Sequence, residues 1–86
     1  MEKETRLKRL YFRSAHRGSK ETDLILGPYA AARLKDMSEV QIDEFEAFLA
    51  ESDTDIWNWV IGKYMPPENL YITLIDDLRK LYDVSN

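Results

Sequence analysis

Apolar side chains recur every three or four positions along most of this chain, and that spacing restricts the folds it can adopt. Near the amino terminus, one face of residues 4–15 carries Leu7, Leu10, Tyr11 and Ser14. Towards the carboxyl terminus, the same spacing relates Leu70, Leu74, Leu78 and Leu81. No segment alternates apolar and polar side chains as a half-buried strand does. The pattern predicts an all-α fold, a small single-domain bundle of four to five short antiparallel helices over residues 1–86.

Capping residues indicate where two of these helices begin. Ser38 is followed three residues later by Gln41, which is the pattern of a capping box. Ser52 or Asp53 is expected to cap the next helix, and Asp55 then lies in its first turn. Each signal predicts the start of a separate helix in the middle of the chain.

Glycine and proline mark the other boundaries. Gly18 is expected to end the first helix, because glycine adopts the left-handed backbone conformation freely, and the second helix then starts at Gly18 or Ser19. Pro28 lies inside the second helix, where we predict a kink rather than a break because strong helix formers follow at once. The Pro-Pro-Glu sequence at residues 66–68 is predicted to open the last helix, since proline is favoured in a first helical turn.

Composition limits the kind of protein this can be. The chain has 86 residues and no cysteine, which excludes disulfides, thiolate metal ligands and cysteine nucleophiles. No apolar run approaches the roughly 20 residues that span a bilayer, so we expect no membrane insertion. The formal net charge is −4. We expect a monomer, because bodies of like charge repel each other. We also expect no nucleic-acid binding, because nucleic-acid modules are typically basic; the alternative is that the basic first helix contacts phosphates.

Charge is unevenly distributed along the chain. Residues 1–20 contain seven Lys and Arg against Glu2 and Glu4, a net charge of +5, and the remaining residues carry −9. Two interpretations follow. A positive end on an acidic body can steer an oriented encounter with a charged partner. Alternatively, the basic helix docks on its own acidic neighbours.

Residues suited to catalysis are few. His16 is the only histidine, and Ser14 and Ser19 are near it in sequence, but a catalytic triad needs a third orienting group in three dimensions. Asp53 and Asp55 lack the glycine and the terminal glutamate of a calcium-binding loop, so we interpret them as helix-start acids. The chain has no phosphate-binding glycine loop and no dinucleotide fingerprint. We expect a protein that is not an enzyme and has no metal site, and a small enzyme that uses His16 is the alternative.

Trp57 and Trp59 lie two residues apart, so they cannot point the same way from a helix. One is expected to enter the core while the other lies near the surface or fills a groove. The alternative is that both pack inside the bundle.

The connector between the first two predicted helices has more charged side chains than a turn requires. Arg17 and Glu21 flank Gly18 there. If Gly18 caps the second helix, Glu21 reaches back to free amide groups from the third helical position. The alternative is a recognition corner, in which Arg17 points outward and a partner binds both the guanidinium and the carboxylate. The candidate contact residues of this corner are His16, Arg17, Gly18, Ser19, Lys20 and Glu21.

These residues resemble the succinate dehydrogenase assembly factors, a family of small helical proteins of bacteria and mitochondria. The family signature Arg-Gly-x-x-Glu, at the junction of the first two helices, is matched by Arg17, Gly18 and Glu21. A second element, Asp-x-Asp-Leu/Ile-x-x-Trp, is matched by Asp53, Asp55, Ile56 and Trp59. Further similarity lies at Arg9, Leu10, Tyr11, Ser14, Pro28 and Met37.

The resemblance implies a chaperone-like binder that promotes covalent attachment of FAD to the flavoprotein subunit of succinate dehydrogenase. In that family the flavin bond forms on the partner's own histidine, so this chain is expected to bind no cofactor stably. Arg17, Gly18 and Glu21 are expected to face the partner, and a fumarate reductase flavoprotein is an alternative client. Five further residues are expected to stabilise mainly the fold and, as a secondary role, to contact the partner: Tyr11, Ser14, Asp53, Asp55 and Trp59.

The resemblance also bears on localisation. Mitochondrial members of the family carry a targeting presequence, whereas this sequence begins with the charged stretch MEKETRLKRL. We therefore expect a bacterial cytoplasmic protein. An antitoxin-like or other interaction module without a role in flavinylation is the alternative function.

Overall fold

The computed structural model describes residues 2–82, which form helices joined by short connections. The helices are α1 (Glu2–Ala15), α2 (Lys20–Arg33), α3 (Glu39–Leu49), α4 (Asp53–Val60) and α5 (Ile72–Tyr82). Within the described residues there is no strand, and the predicted all-α class is confirmed. No helix in that part of the chain is both long enough and apolar enough to cross a membrane. That residues 1–86 form one domain stays a prediction, because Met1 and residues 83–86 lie outside the described part.

The predicted caps of α3 and α4 are confirmed. At the start of α3, the Gln41 amide donates to Ser38 Oγ at 3.2 Å, and the Ser38 amide donates to Gln41 Oε1 at 2.8 Å. At the start of α4, Ser52 Oγ accepts from the Asp55 amide at 3.1 Å. These bonds occupy amide groups that have no partner inside the helix. Helix α2 also continues through Pro28 without a break, as predicted, and the kink at this position stays a prediction.

The last helix begins later than the sequence predicted. Pro66 is extended, with φ −66° and ψ 154°, and residues 67–69 form only a 3₁₀ turn. Glu68, Asn69 and Tyr71 have positive φ values, which a right-handed helix does not accommodate. The prediction that residues 66–68 open α5 is therefore wrong, and α5 begins at Ile72. Two consecutive prolines contribute to this outcome, because a residue that precedes proline is restricted to extended conformations.

Helices α1 and α2 pack closely as an antiparallel pair. A Cβ built on Gly27 of α2 would lie 3.3 Å from Ala15 Cβ of α1, so glycine at this position lets the two helices approach. The remaining helices complete a single apolar core, whose largest fully buried side chains include Leu10, Leu26, Ile42, Phe45, Phe48, Ile56, Ile75 and Leu78. Tyr11 was expected on the core face of α1 but is 44% exposed.

The basic helix docks partly on acidic neighbours, which was one of the two interpretations of the charge pattern. Arg6 of α1 contacts Asp43 at 2.7 Å and Glu46 at 2.6 Å, both on α3. Arg13 lies 3.8 Å from the second carboxylate oxygen of Glu46. Each pair is partly exposed, so its contribution to stability is small. Arg6 and Arg13 therefore lie on the side of α1 that faces α3.

Candidate functional site

Helices α1 and α2 meet at a corner, residues 16–21, which consists of the connection 16–19 and the first two residues of α2 and contains the predicted contact residues. Gly18 has φ +101°, in a region that strains any L side chain, and the predicted left-handed glycine is confirmed. A Cβ built on Gly18 would have no neighbour within 4 Å, so the backbone rather than the available space requires glycine. Ser19 occupies the N-cap position of α2, so Glu21 lies at the second helical position rather than the third.

The Arg17 side chain turns into the protein and is only 11% exposed. Its Nε donates to Asp53 Oδ1 at 2.5 Å. Its Nη1 donates to the Leu49 carbonyl oxygen at 2.5 Å, and its Nη2 donates to the Glu51 carbonyl oxygen at 2.7 Å. All three guanidinium nitrogens are therefore bonded within the chain. We call these contacts the Arg17 clamp.

The Arg17 clamp joins the α1–α2 corner to the α3–α4 corner. Leu49 ends α3, where carbonyl groups lack helical amide partners and carry partial negative charge. Asp53 begins α4, and the guanidinium neutralises its carboxylate. The prediction that Arg17 points outward is therefore wrong. Its acceptors lie 32–36 residues further along the chain, so local spacing did not reveal them.

A second carboxylate fixes the backbone of the corner. The Arg17 amide donates to Asp23 Oδ1 at 2.7 Å, so Asp23 reaches back to a free amide as Glu21 was expected to do. Glu21 accepts only a side-chain hydrogen bond, from Ser19 Oγ at 3.1 Å, and is exposed. The Glu21 carboxylate consequently faces solvent from the first turn of α2.

The remaining surface of the corner is polar and accessible. His16, Gly18 and Lys20 are exposed, and Ser19 is half-buried. The His16 ring stacks on Phe12 with ring centroids 4.2 Å apart, and its Nδ1 lies 3.0 Å from the Phe12 carbonyl oxygen. Because a carbonyl oxygen only accepts, this hydrogen bond requires the hydrogen on Nδ1 and makes Nε2 the acceptor of the neutral ring. Within residues 2–82, no three acidic or histidine side chains cluster as metal ligands do.

Two of the secondary candidates are buried and act in the fold. Ser14 is fully buried and donates to the Leu10 carbonyl oxygen at 2.7 Å. Trp59 is 3% exposed and packs near Phe48 with ring centroids 6.1 Å apart. Trp57 is only half-buried, which confirms that the two tryptophans point in different directions. Neither Ser14 nor Trp59 is accessible to a partner.

The other secondary candidates differ from one another. Asp53 belongs to the Arg17 clamp, and Asp55 accepts from the Tyr64 hydroxyl at 2.7 Å. Asp53 therefore supports the α3–α4 corner, whereas Asp55 joins the first turn of α4 to the segment that follows α4. Tyr11 is the one secondary candidate that leaves a large part of its side chain accessible.

Sequence reasoning missed Glu51 and Tyr71. The Tyr71 hydroxyl donates to Glu51 Oε2 at 2.7 Å, and the Tyr71 ring packs edge-on against Phe48 at 5.1 Å. Glu51 also supplies a carbonyl oxygen to the Arg17 clamp. No local motif identifies this pair, because the two residues are 20 positions apart. The missed capping role of Asp23 had a signal, since an acid in the first turn of a helix commonly binds free amides.

Tyr71 predicts a pH dependence of stability. Burial, followed by its hydrogen bond to Glu51, raises the pKa of Tyr71 to about 12. Because the folded pKa exceeds the ordinary tyrosine value of about 10, the stabilisation is complete below pH 10 and is lost towards pH 12. Burial raises the pKa of Tyr29 as well, so it contributes in the same direction. We expect the free energy of unfolding to fall over this range, and Tyr71→Phe to make the fall shallower. Urea denaturation at several pH values tests this, and an unchanged slope in Tyr71→Phe would contradict it.

Comparison with known proteins identifies the family. A family model described as "flavinator of succinate dehydrogenase" matches residues 8–82. The matched region contains the α1–α2 corner, the Arg17 clamp and the capped starts of α3 and α4. The chain belongs to the flavinator family. The resemblance inferred from Arg-Gly-x-x-Glu and the Asp/Trp element is thereby confirmed.

Similar proteins carry a consistent name. "Succinate dehydrogenase assembly factor 2, mitochondrial" of Candida glabrata is 41% identical over 80 residues, which cover 90% of this chain and 51% of that protein. The protein of that name in Yarrowia lipolytica is 45% identical over 58 residues, or 67% of this chain and 40% of that protein. The protein of that name in Dictyostelium discoideum is 36% identical over 61 residues, which cover 71% of this chain and 43% of that protein. The chain thus spans about half the length of these curated relatives, or less. No solved structure matches it.

These relatives correct the predicted localisation. Their names describe mitochondrial proteins of eukaryotes, which contradicts the prediction of a bacterial cytoplasmic protein. The prediction rested on the charged first residues of the sequence, which were interpreted as excluding a presequence. That argument was unsound, because the chain matches only part of each relative's length.

Proposed function

We propose that this flavinator-family chain binds the flavoprotein subunit of succinate dehydrogenase and promotes covalent attachment of FAD to it. The observation that carries this proposal is the family match over residues 8–82, which includes the whole α1–α2 corner. The names of the similar proteins agree with it, and they do not favour an antitoxin-like module.

In this proposal the corner is the contact surface, and its residues divide into two kinds. Arg17 and Gly18 are positioning residues, because the first is bonded inside the chain and the second sets the backbone. Glu21, Lys20 and His16 are exposed and are the groups that meet the client. A corner held by the Arg17 clamp loses little conformational freedom on binding, which favours affinity.

The proposal leaves the flavin chemistry with the client. The client binds FAD and supplies the histidine that attacks the flavin, while this chain holds client groups in the geometry that the attack requires. Accordingly, we assign no catalytic role and no stably bound cofactor to the chain. A monomeric state and a fumarate reductase client stay predictions.

The proposal is tested with Glu21→Ala and a matched control, Glu39→Ala. Both glutamates are exposed and lie in the first turn of a helix, Glu21 in α2 and Glu39 in α3, so each change costs similar local stability, about 0.3–1 kcal/mol. The succinate dehydrogenase flavoprotein subunit is expressed alone or with each variant, and its covalent flavin is measured by fluorescence of the denatured subunit. We expect wild type and Glu39→Ala to raise the signal, and Glu21→Ala to lose most of the increase.

Two controls make the outcome decisive. Circular dichroism establishes that Glu21→Ala is folded, and subunit abundance is held equal with FAD in excess. Equal flavin signal with and without the wild-type chain would refute the proposed function for this client. Equal loss in both glutamate variants would refute the assignment of the contact to the corner.

A further inference from the structure

A shallow apolar groove of about 260 Å³ lies between α1 and α2, away from the corner. Its apolar lining consists of Leu7, Tyr11, Ala30, Ala31 and Leu34. Lys8 of α1 and Lys35, in the 3₁₀ turn Leu34–Asp36 that follows α2, complete the lining, and both side chains are exposed. The groove therefore combines an apolar floor with one ammonium group from α1 and one from the turn after α2.

The groove follows from the sizes of the side chains on α2. Near the corner, Gly27 lets α2 approach Ala15 of α1 closely. About one turn later, Ala30 and Ala31 are too short to fill the space beside Tyr11. A concave apolar surface is thus left open to solvent. Such a surface offers a partner apolar area to bury.

The charges beside the groove indicate what it binds. Within residues 2–82, no ion pair joins Lys8 or Lys35 to a carboxylate, whereas Arg6 and Arg13 of the same region are paired with α3. The rest of the protein is acidic, with a net charge of −9 beyond residue 20. Two ammonium groups beside an apolar floor on an otherwise acidic body are complementary to an acidic partner segment.

We propose that this groove docks an acidic segment of the flavoprotein client. The segment places an apolar side chain against Tyr11 and Ala31, and carboxylates beside Lys8 and Lys35. This inference rests on the proposed function and adds a second contact to it. Lys8 lies about two helical turns, roughly 10 Å, before the end of α1, so one client surface can reach both the groove and the corner. A second copy of the chain fits less well, because two acidic bodies repel each other.

The test compares two neighbouring alanines of α2. Ala31 and Ala32 are both exposed, but only Ala31 lines the groove. The variants are Ala31→Glu and Ala31→Lys, with Ala32→Glu and Ala32→Lys as controls that match them in charge and helix propensity. The Kd for the purified succinate dehydrogenase flavoprotein subunit is measured by calorimetry at low salt. Circular dichroism confirms that each variant is folded.

We expect Ala31→Glu to raise the Kd about tenfold, because its carboxylate repels the acidic segment. Ala31→Lys is expected to raise it about threefold or less, since its ammonium keeps the attraction while its stem occupies the groove. Both Ala32 variants should stay within about twofold of wild type. High salt should reduce the difference between the two Ala31 variants, because salt screens the charges.

Each contrary result has a definite meaning. If Ala31→Glu and Ala31→Lys raise the Kd equally, the client segment is not acidic. If the Ala31 and Ala32 variants raise the Kd equally, the groove is not the docking site. Light scattering that shows a wild-type dimer, lost in Ala31→Glu, would assign the groove to a second copy and so overturn the proposal. If wild type binds the subunit and only Glu21→Ala weakens it, the groove fails while the proposed function stands. If wild type does not bind, both fail.

Discussion

Arg17→Ala is expected to lower the free energy of unfolding by about 3 kcal/mol, because it leaves a partly buried carboxylate and two carbonyl groups without their cation. The groups concerned are Asp53, which is 27% exposed, and the carbonyl oxygens of Leu49 and Glu51. For a domain of this size, such a loss lowers the melting temperature by about 12–24 °C. Thermal and urea unfolding followed by circular dichroism measure the change.

Conservative variants separate charge from geometry in the Arg17 clamp. Arg17→Lys keeps the charge but replaces a fork that binds three acceptors with a single ammonium, so we expect it to recover only part of the lost stability. A double-mutant cycle with Asp53→Asn isolates the energy of the ion pair. A melting temperature for Arg17→Ala within about 2 °C of wild type would contradict the clamp, since it corresponds to less than about 0.5 kcal/mol.

Trp59→Ala is expected to cost about 4 kcal/mol of folding free energy, which is the usual loss when a large buried aromatic side chain is truncated. Trp59 is 3% exposed and lies among aromatic rings, with centroids 6.1 Å from Phe48 and 5.9 Å from Tyr71. Its removal leaves a cavity where α4 meets the segment before α5. Urea denaturation followed by circular dichroism at 222 nm measures the loss without relying on tryptophan fluorescence.

Trp57→Ala is the matched control, because the two tryptophans belong to the same short helix. Trp57 is half-buried at the edge of the core, so its truncation is expected to cost about 1–2 kcal/mol. Equal losses in the two variants would show that Trp59 is not the core residue of this helix. In a marginally stable domain, Trp59→Ala also brings the protein close to unfolding at 37 °C.

The Arg-Gly-x-x-Glu motif is not a single functional unit. Gly18 meets a backbone requirement, Arg17 joins two corners of the fold, and Glu21 faces solvent. Arg17→Ala should therefore lose both stability and activity, whereas Glu21→Ala should lose activity with only a small loss of stability. If the motif were only a binding surface, Arg17→Ala would also lose activity with little loss of stability.

Local interactions explain what was predictable from the residues alone. The helical class, the box of Ser38 and Gln41, and the cap at Ser52 each depend on neighbours within one helical turn. Gly18 belongs with them, because its conformation depends on its own lack of a side chain. The family signature was recognisable for the same reason, since its residues stand at short, constant spacings.

Long-range contacts explain the rest. The direction of Arg17 depends on carbonyl groups more than 30 residues away, and any residue type can supply a carbonyl. The start of α5 depends on Tyr71, whose ring packs against Phe48 while its backbone adopts a left-handed conformation. The groove depends on the packing of α1 against α2, which brings Ala31 opposite Tyr11. Spacing along the chain records which residues share a helix face, whereas these features arise from which faces meet when the helices pack.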